Sequence, residues 1–164
     1  MTDSVKNTGT LQVTTPSDRE IAMTRVFDAP RRLVFDAWTK PELLKRWLGV
    51  REGWSMVVCE VDLKVGGRYR FVWRKGADGP EIGTGGVHRE IVAPERIIRT
   101  EAFDGHPGEA LDTTVFVEQG GKTTVTTTMR CESQEIRDAW LKSGMTRGVG
   151  ESYDKLDEYF ASIA

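Results

Sequence analysis

The sequence predicts an α+β domain. A curved antiparallel β-sheet of six to seven strands wraps around a long C-terminal α-helix, with two short helices after the first strand. Three observations carry that prediction. Residues 56–131 divide into short stretches of alternating apolar and polar residues, separated by Gly- and Pro-bearing turns, the pattern of strands buried on one face. Residues 133–164 contain no proline and place Met145, Val149, Ser152, Leu156, Phe160 and Ile163 at three- and four-residue steps, which traces one face of a helix. Pro30 and Pro41 stand at the first turns of two short helical stretches, where a missing N–H is tolerated.

Each element follows in order. Residues 1–18 are rich in Thr and Ser and offer little to a core; they are expected to form a flexible N-terminal arm with a short extended piece near Leu11–Val13. Residues 19–164 are expected to form a single domain. Ile21, Met23 and Phe27 alternate onto one face of a first strand ending at Asp28-Ala29-Pro30. Arg25 falls on that same face, so either a bulge displaces it or it is a charge at a cavity edge. Arg31–Trp38 and Glu42–Trp47 are the two short helices, broken by Thr39-Lys40-Pro41. Trp38, Trp47 and Trp54 cluster here, either as packing or with Trp47 or Trp54 lining a cavity entrance.

Val57, Cys59, Val61 and Leu63 alternate along the next strand, and Gly66-Gly67 turns into Arg68–Arg74. There Tyr69, Phe71 and Trp73 face one way and Arg68, Arg70 and Arg74 the other. Strands near Thr84–Val92, Arg96–Glu101, Asp112–Glu118 and Thr123–Cys131 complete a meander with short connections. Gly83-Thr84-Gly85-Gly86 has no helix after it, so it reads as a loop or bulge between strands and not as a phosphate cradle. Ser133 as N-cap and Glu135 in the first turn open the final helix. Gly144, Gly148 and Gly150 lie inside it, at about 1 kcal/mol each against alanine. They make sense if the surroundings hold the helix and something approaches its backbone closely.

Composition narrows the function. Among 164 residues, 23 basic side chains nearly balance 25 acidic ones, without a basic cluster along any element. Nucleic-acid and anionic-membrane partners therefore lack electrostatic support. No apolar run approaches a membrane-spanning length, and the N-terminus lacks the apolar core of a signal peptide. Cys59 and Cys131 are far apart and lack metal-ligand spacing; two free thiols in a reducing cytoplasm are expected. His88 and His106 belong to no metal-binding spacing, and no cofactor fingerprint is present, so neither a metal nor a cofactor is expected.

A sheet with one apolar face needs a cover, and only the last helix is long enough to supply it. A curved sheet gripping one helix, plugged by the helix pair, tends to leave a hollow: a helix-grip architecture. Particular residues support this. Arg25-Val-Phe-Asp-Ala-Pro30, Val34-Phe35-Asp36-Ala37-Trp38, Arg46-Trp47, Gly66-Gly67-Arg68-Tyr69, Pro94-Glu95-Arg96 and Gly144-Met145 with Ser152-Tyr153 together resemble the bacterial branch of the SRPBCC (START-like) superfamily. The domain is similar to the C-terminal domain of the activator of the heat-shock protein 90 ATPase (AHSA-like), over about Asp18 to Phe160. The resemblance implies the helix-grip fold, in a superfamily of lipid carriers, hormone receptors and polyketide cyclases. The co-chaperone's separate N-terminal domain has no room in 164 residues, so chaperone activation is not expected to carry over.

The expected function is binding of a small hydrophobic or aromatic molecule between sheet and helix. Tyr69, Phe71, Trp73, Val125, Met129, Met145, Val149 and Tyr153 would line the site, Trp47 and Trp54 its entrance, and His88, Arg99 or Thr127 would orient the ligand. One alternative is an enzyme of the cyclase, dehydratase or hydrolase type in the same cavity, with His88, Asp62 or Glu101 moving protons. Another is a packed, co-chaperone-like domain acting through protein contacts. Arg99 and Glu101 share a parity and so a face, which also suits a cross-strand ion pair. A homodimer is compatible with such a domain.

Overall fold

The computed structural model describes residues 11–164. The expected arm therefore lies outside the described residues over its first ten positions, and its remainder is tied down. Strand β1 (Gln12–Thr14) pairs with β2 (Glu20–Phe27). Helices α1 (Arg31–Thr39) and α2 (Pro41–Trp47) follow. Then come β3 (Trp54–Val61), β4 (Arg68–Lys75), β5 (Glu81–Val92), β6 (Arg96–Phe103), β7 (Ala110–Gln119) and β8 (Lys122–Arg130). The chain ends in α3 (Gln134–Lys142) and α4 (Met145–Ile163). The eight strands form one antiparallel, unclosed sheet in the order β1-β2-β8-β7-β6-β5-β4-β3. The strand beyond the expected six to seven is β1, too short for its alternation to register.

One correction concerns the final helix. Ser133 does cap it, its Oγ accepting from the Ile136 N–H at 3.1 Å. The expected single helix is nevertheless two, because Gly144 takes φ 85°, a left-handed conformation that glycine adopts without steric cost. Gly144 thus separates α3 from α4. A side chain added at Gly148 would meet nothing within 4 Å, and at Gly150 only the tip of Leu11 at 3.8 Å. The close backbone approach expected from these glycines is absent at Gly148.

A second correction concerns Gly83–Gly86, which lies inside β5 and not in a loop. A side chain at Gly86 would collide with the Thr100 carbonyl, and one at Gly83 with Asp104 and Arg70. Glycine here lets the neighbouring strands close on the ladder. The bulge in this strand falls later, between His88 and Glu90.

One core cluster packs Phe27, Val34, Trp38, Trp47, Phe116 and Val125 against Tyr153, Leu156 and Phe160 of α4. A second joins Ile21, Met23, Ala110 and Met129 to Trp140 of α3. Edge-to-face contacts of Phe27 with Trp38, Tyr153 and Phe160 at centroid separations of 5.9, 5.4 and 6.0 Å fix the C-terminal half of α4 on the sheet. Arg25 is not displaced, since β2 and β8 pair without interruption. It lies buried under α4, where Nη1 donates to Asp154 at 2.8 Å and Nη2 to Asp157 at 2.5 Å. No helix among the described residues is long and apolar enough to cross a membrane.

Candidate functional site

Register brings the inward-facing polar residues together. Arg99 on β6 lies opposite His88 on β5 and opposite Asp112 on β7, and Asp112 lies opposite Met129 on β8. Glu101, two residues along β6, shares the face of Arg99, and Thr127 and Thr114 form the neighbouring row, their hydroxyls 3.0 Å apart. The Arg99 guanidinium carbon sits 4.0 Å from the Tyr69 ring centroid and 5.7 Å from that of Phe71. The Tyr69 hydroxyl donates to the Thr100 carbonyl at 2.6 Å.

The electrostatics follow from burial. Asp112 is 6% exposed and its Oδ1 has no partner. Burial, and then the adjoining Glu101 carboxyl to which it hydrogen-bonds, holds the Asp112 carboxyl well above the usual carboxylate range. Burial and then Arg99 push the His88 imidazole down. Burial also raises the Tyr69 phenol and pushes that of Tyr153 up to about 12. Both shifts favour the neutral forms of Asp112 and His88 on either side of the Arg99 guanidinium.

The other expected site residues divide into sealed and accessible groups. Trp47, Tyr69, Phe71, Val125, Met129 and Tyr153 are buried. The Trp47 indole N–H is spent on the Ala37 carbonyl at 3.1 Å. His88 is 1% exposed, with Nδ1 3.1 Å from the Gly67 carbonyl. Trp54, Trp73, Arg99, Glu101, Thr127, Met145 and Val149 are half-buried. Trp73 Nε1 donates to the Leu48 carbonyl at 2.7 Å, and the Gly49 N–H donates to Ser152 Oγ at 2.8 Å, so the loop after α2 is latched to both β4 and α4. Asp62, in the loop after β3, lies near His88 through its backbone, while its side chain is 57% exposed beside Lys64. Arg99 and Glu101 form no ion pair with each other.

Asp112 was not among the residues expected from the sequence. Its alternation with Thr114 and Phe116 puts it on the apolar face of its strand, a legible signal; its place opposite Arg99 depends on long-range register.

Two recesses open in the surface. One, of about 450 Å³, is lined by Arg51, Glu52 and Trp54 on one side and Ser143, Gly144, Arg147 and Glu151 on the other, at the N-terminal end of α4. The second, of about 460 Å³, lies on the outer face of the sheet beside Arg89, Leu111 and Arg130. Neither has Tyr69, Phe71 or Met129 in its wall. Among the described residues no group of three or more His, Cys, Asp or Glu side chains is placed to hold a metal.

The fold and much of the sequence recur in known proteins. A crystal structure of a protein from Rhodobacter sphaeroides is 32% identical, with TM-score 0.87, covering 93% of this chain and 98% of that one. A protein from Chromobacterium violaceum is 27% identical, with TM-score 0.72, covering 87% and 97%. An AHSA1-like protein from Aeromonas hydrophila shares the fold at 21% identity and TM-score 0.68, over 85% and 93%. No curated protein matches in sequence. The profile of the family described as Activator of Hsp90 ATPase homolog 1-like protein matches residues 28–161, the span from the end of β2 through the last turns of α4, and the chain belongs to that family.

Proposed function

We propose that this protein binds a small, largely apolar or aromatic molecule between the sheet and the N-terminal half of α4. One observation carries this reading: α4 is fully closed against the sheet at its C-terminal half and only partly so at its N-terminal half, where Met145 and Val149 pack on the core while half-buried. Tyr153, Leu156 and Phe160 are buried. Toward the other end Met145 and Val149 are half-buried, as are the inward-facing Arg99, Glu101 and Thr127 on the sheet. Gly148, on the flank of the same helical stripe beside Ser152, faces open space. A molecule entering past Trp54 would meet apolar side chains first and the polar row beyond.

Native mass spectrometry of protein purified from its own host, against a denatured sample, tests the reading. Release of a defined small molecule is the expected result. An empty protein, unable to take up apolar probes at millimolar concentration, overturns it and favours a domain acting through protein contacts.

A second reading rests on the Asp112–Glu101 carboxyl pair. A carboxyl held protonated beside another can donate and recover a proton, the combination general acid–base chemistry uses. This moves the enzymatic alternative from His88 to Asp112 with Glu101, the half-buried member of the pair. Its test is Asp112→Asn: turnover of the identified ligand would be lost while binding persists.

A further inference from the structure

Resting on that binding reading, we propose that the ligand is an anion, a carboxylate on a planar apolar body, and that Arg99 receives it. Arg25, Arg70, Arg74, Arg96 and Arg137 each donate hydrogen bonds to a carboxylate. Arg99 is half-buried on the inner face and, among the described residues, takes part in no ion pair and no side-chain hydrogen bond. Its neighbours across the ladder do not cancel its charge. Burial raises the Asp112 carboxyl and lowers the His88 imidazole, both toward their neutral forms, and neither Asp112 nor Glu101 forms an ion pair with the guanidinium.

The rings hold Arg99 by its face. A guanidinium carbon 4.0 Å from the Tyr69 centroid is in stacking contact. Stacking fixes the plane and leaves the N–H donors at its edge free, a fork that matches the two oxygens of a carboxylate. Restricted solvent in the half-buried site strengthens such a pair over one at the surface.

The test compares 2-naphthoate with 2-naphthamide, equal in shape and different in charge, by isothermal titration at low and moderate salt. The expected result is at least about tenfold tighter binding of naphthoate to the unmodified protein, which is about 1.4 kcal/mol. Arg99→Gln should abolish that preference, weakening naphthoate at least about tenfold more than naphthamide. Equal affinities in the unmodified protein, or a preference that survives Arg99→Gln, overturn the anion proposal and leave the binding reading standing. Binding of neither probe, with an empty protein in the mass spectrum, overturns both.

Discussion

Arg25 and its two aspartates provide the sharpest stability test. The Arg25 side chain is 3% exposed, while those of Asp154 and Asp157 are 63% and 35% exposed. The Asp154 arm is largely screened and worth about 0–1 kcal/mol. The Asp157 arm is closer and drier. Even so, burial pushes the Asp157 carboxyl above its usual range although Arg25 pulls the other way, so desolvation outweighs attraction at that carboxylate. Removing Arg25 alone leaves Asp157 half-buried without its cation, at about 1–2 kcal/mol. It also relieves the buried, unpartnered Nε of Arg25, which returns part of that cost. Arg25→Met is therefore expected to destabilise by about 1–2 kcal/mol, or about 3–6 °C in a domain this size. Asp157→Asn should cost less than about 1 kcal/mol, and the double variant less than the sum. Urea denaturation followed by tryptophan fluorescence measures all three. Additive effects, or an Arg25→Met protein as stable as the parent, would refute the assignment of Arg25 as the tie between β2 and α4.

Four further predictions follow from the geometry. Asp112 binds its proton more tightly folded than unfolded. The stability this gives is complete below the unfolded carboxylate pKa of about 4 and is lost as pH rises through the folded value. The groups facing it, His88, Arg99 and Glu101, are unchanged in Asp112→Asn, so that variant should gain stability relative to the parent as pH rises above about 4. A pH-independent difference in urea midpoint would contradict this. Gly49 has φ 68°, and a side chain there would collide with the Trp73 indole; Gly49→Ala should cost about 2–4 kcal/mol. Half-buried Trp73→Ala should cost about 2–3 kcal/mol, below the range for a fully buried tryptophan, and in combination with Gly49→Ala the costs should not add. Gly148→Ala should stabilise by about 0.5–1 kcal/mol in thermal unfolding, since its helical backbone suits alanine and nothing opposes the methyl; weaker binding of 2-naphthoate in the same variant would place the ligand beside it.

Locally encoded features were legible in the sequence. Alternation located the long strands, prolines opened the two short helices, and Ser133 marked the start of α3. Gly144 is instructive because its signal was present. A glycine two residues after Lys142 matches a helix stop, but the three- and four-residue apolar spacing across it favoured continuity. The inner face of the sheet was partly legible too: parity put Arg99 and Glu101 on one face, and alternation put Tyr69 with Phe71 and Trp73. Their assembly was not. Strict alternation along β5 would put His88 and Glu90 on one face; the bulge between them instead turns His88 and Ile91 inward, opposite Arg99 and Ile97. Asp112 becomes notable only once β7 is laid against β6.

The departures from local rules fall at one end of the molecule. A helix serving only as a lid would carry alanine at 148, where the backbone is regular and space is free. A sheet face serving only as core would carry an apolar residue at 112, because an unpartnered buried carboxyl oxygen costs about 1–3 kcal/mol. It would also pair Arg99 with Glu101 instead of stacking it on rings with its donors unused. The C-terminal half of α4 departs less, its aromatic contacts closed and the buried Arg25 of β2 beneath it tied to two aspartates through Nη1 and Nη2, with only Arg25 Nε unpartnered. Natural domains tend to concentrate such exceptions where they work, with the remaining core supplying the stability they forgo. Arg99, Asp112 and Gly148 are together the reason for proposing the N-terminal half of α4 and the sheet beneath it as the binding region.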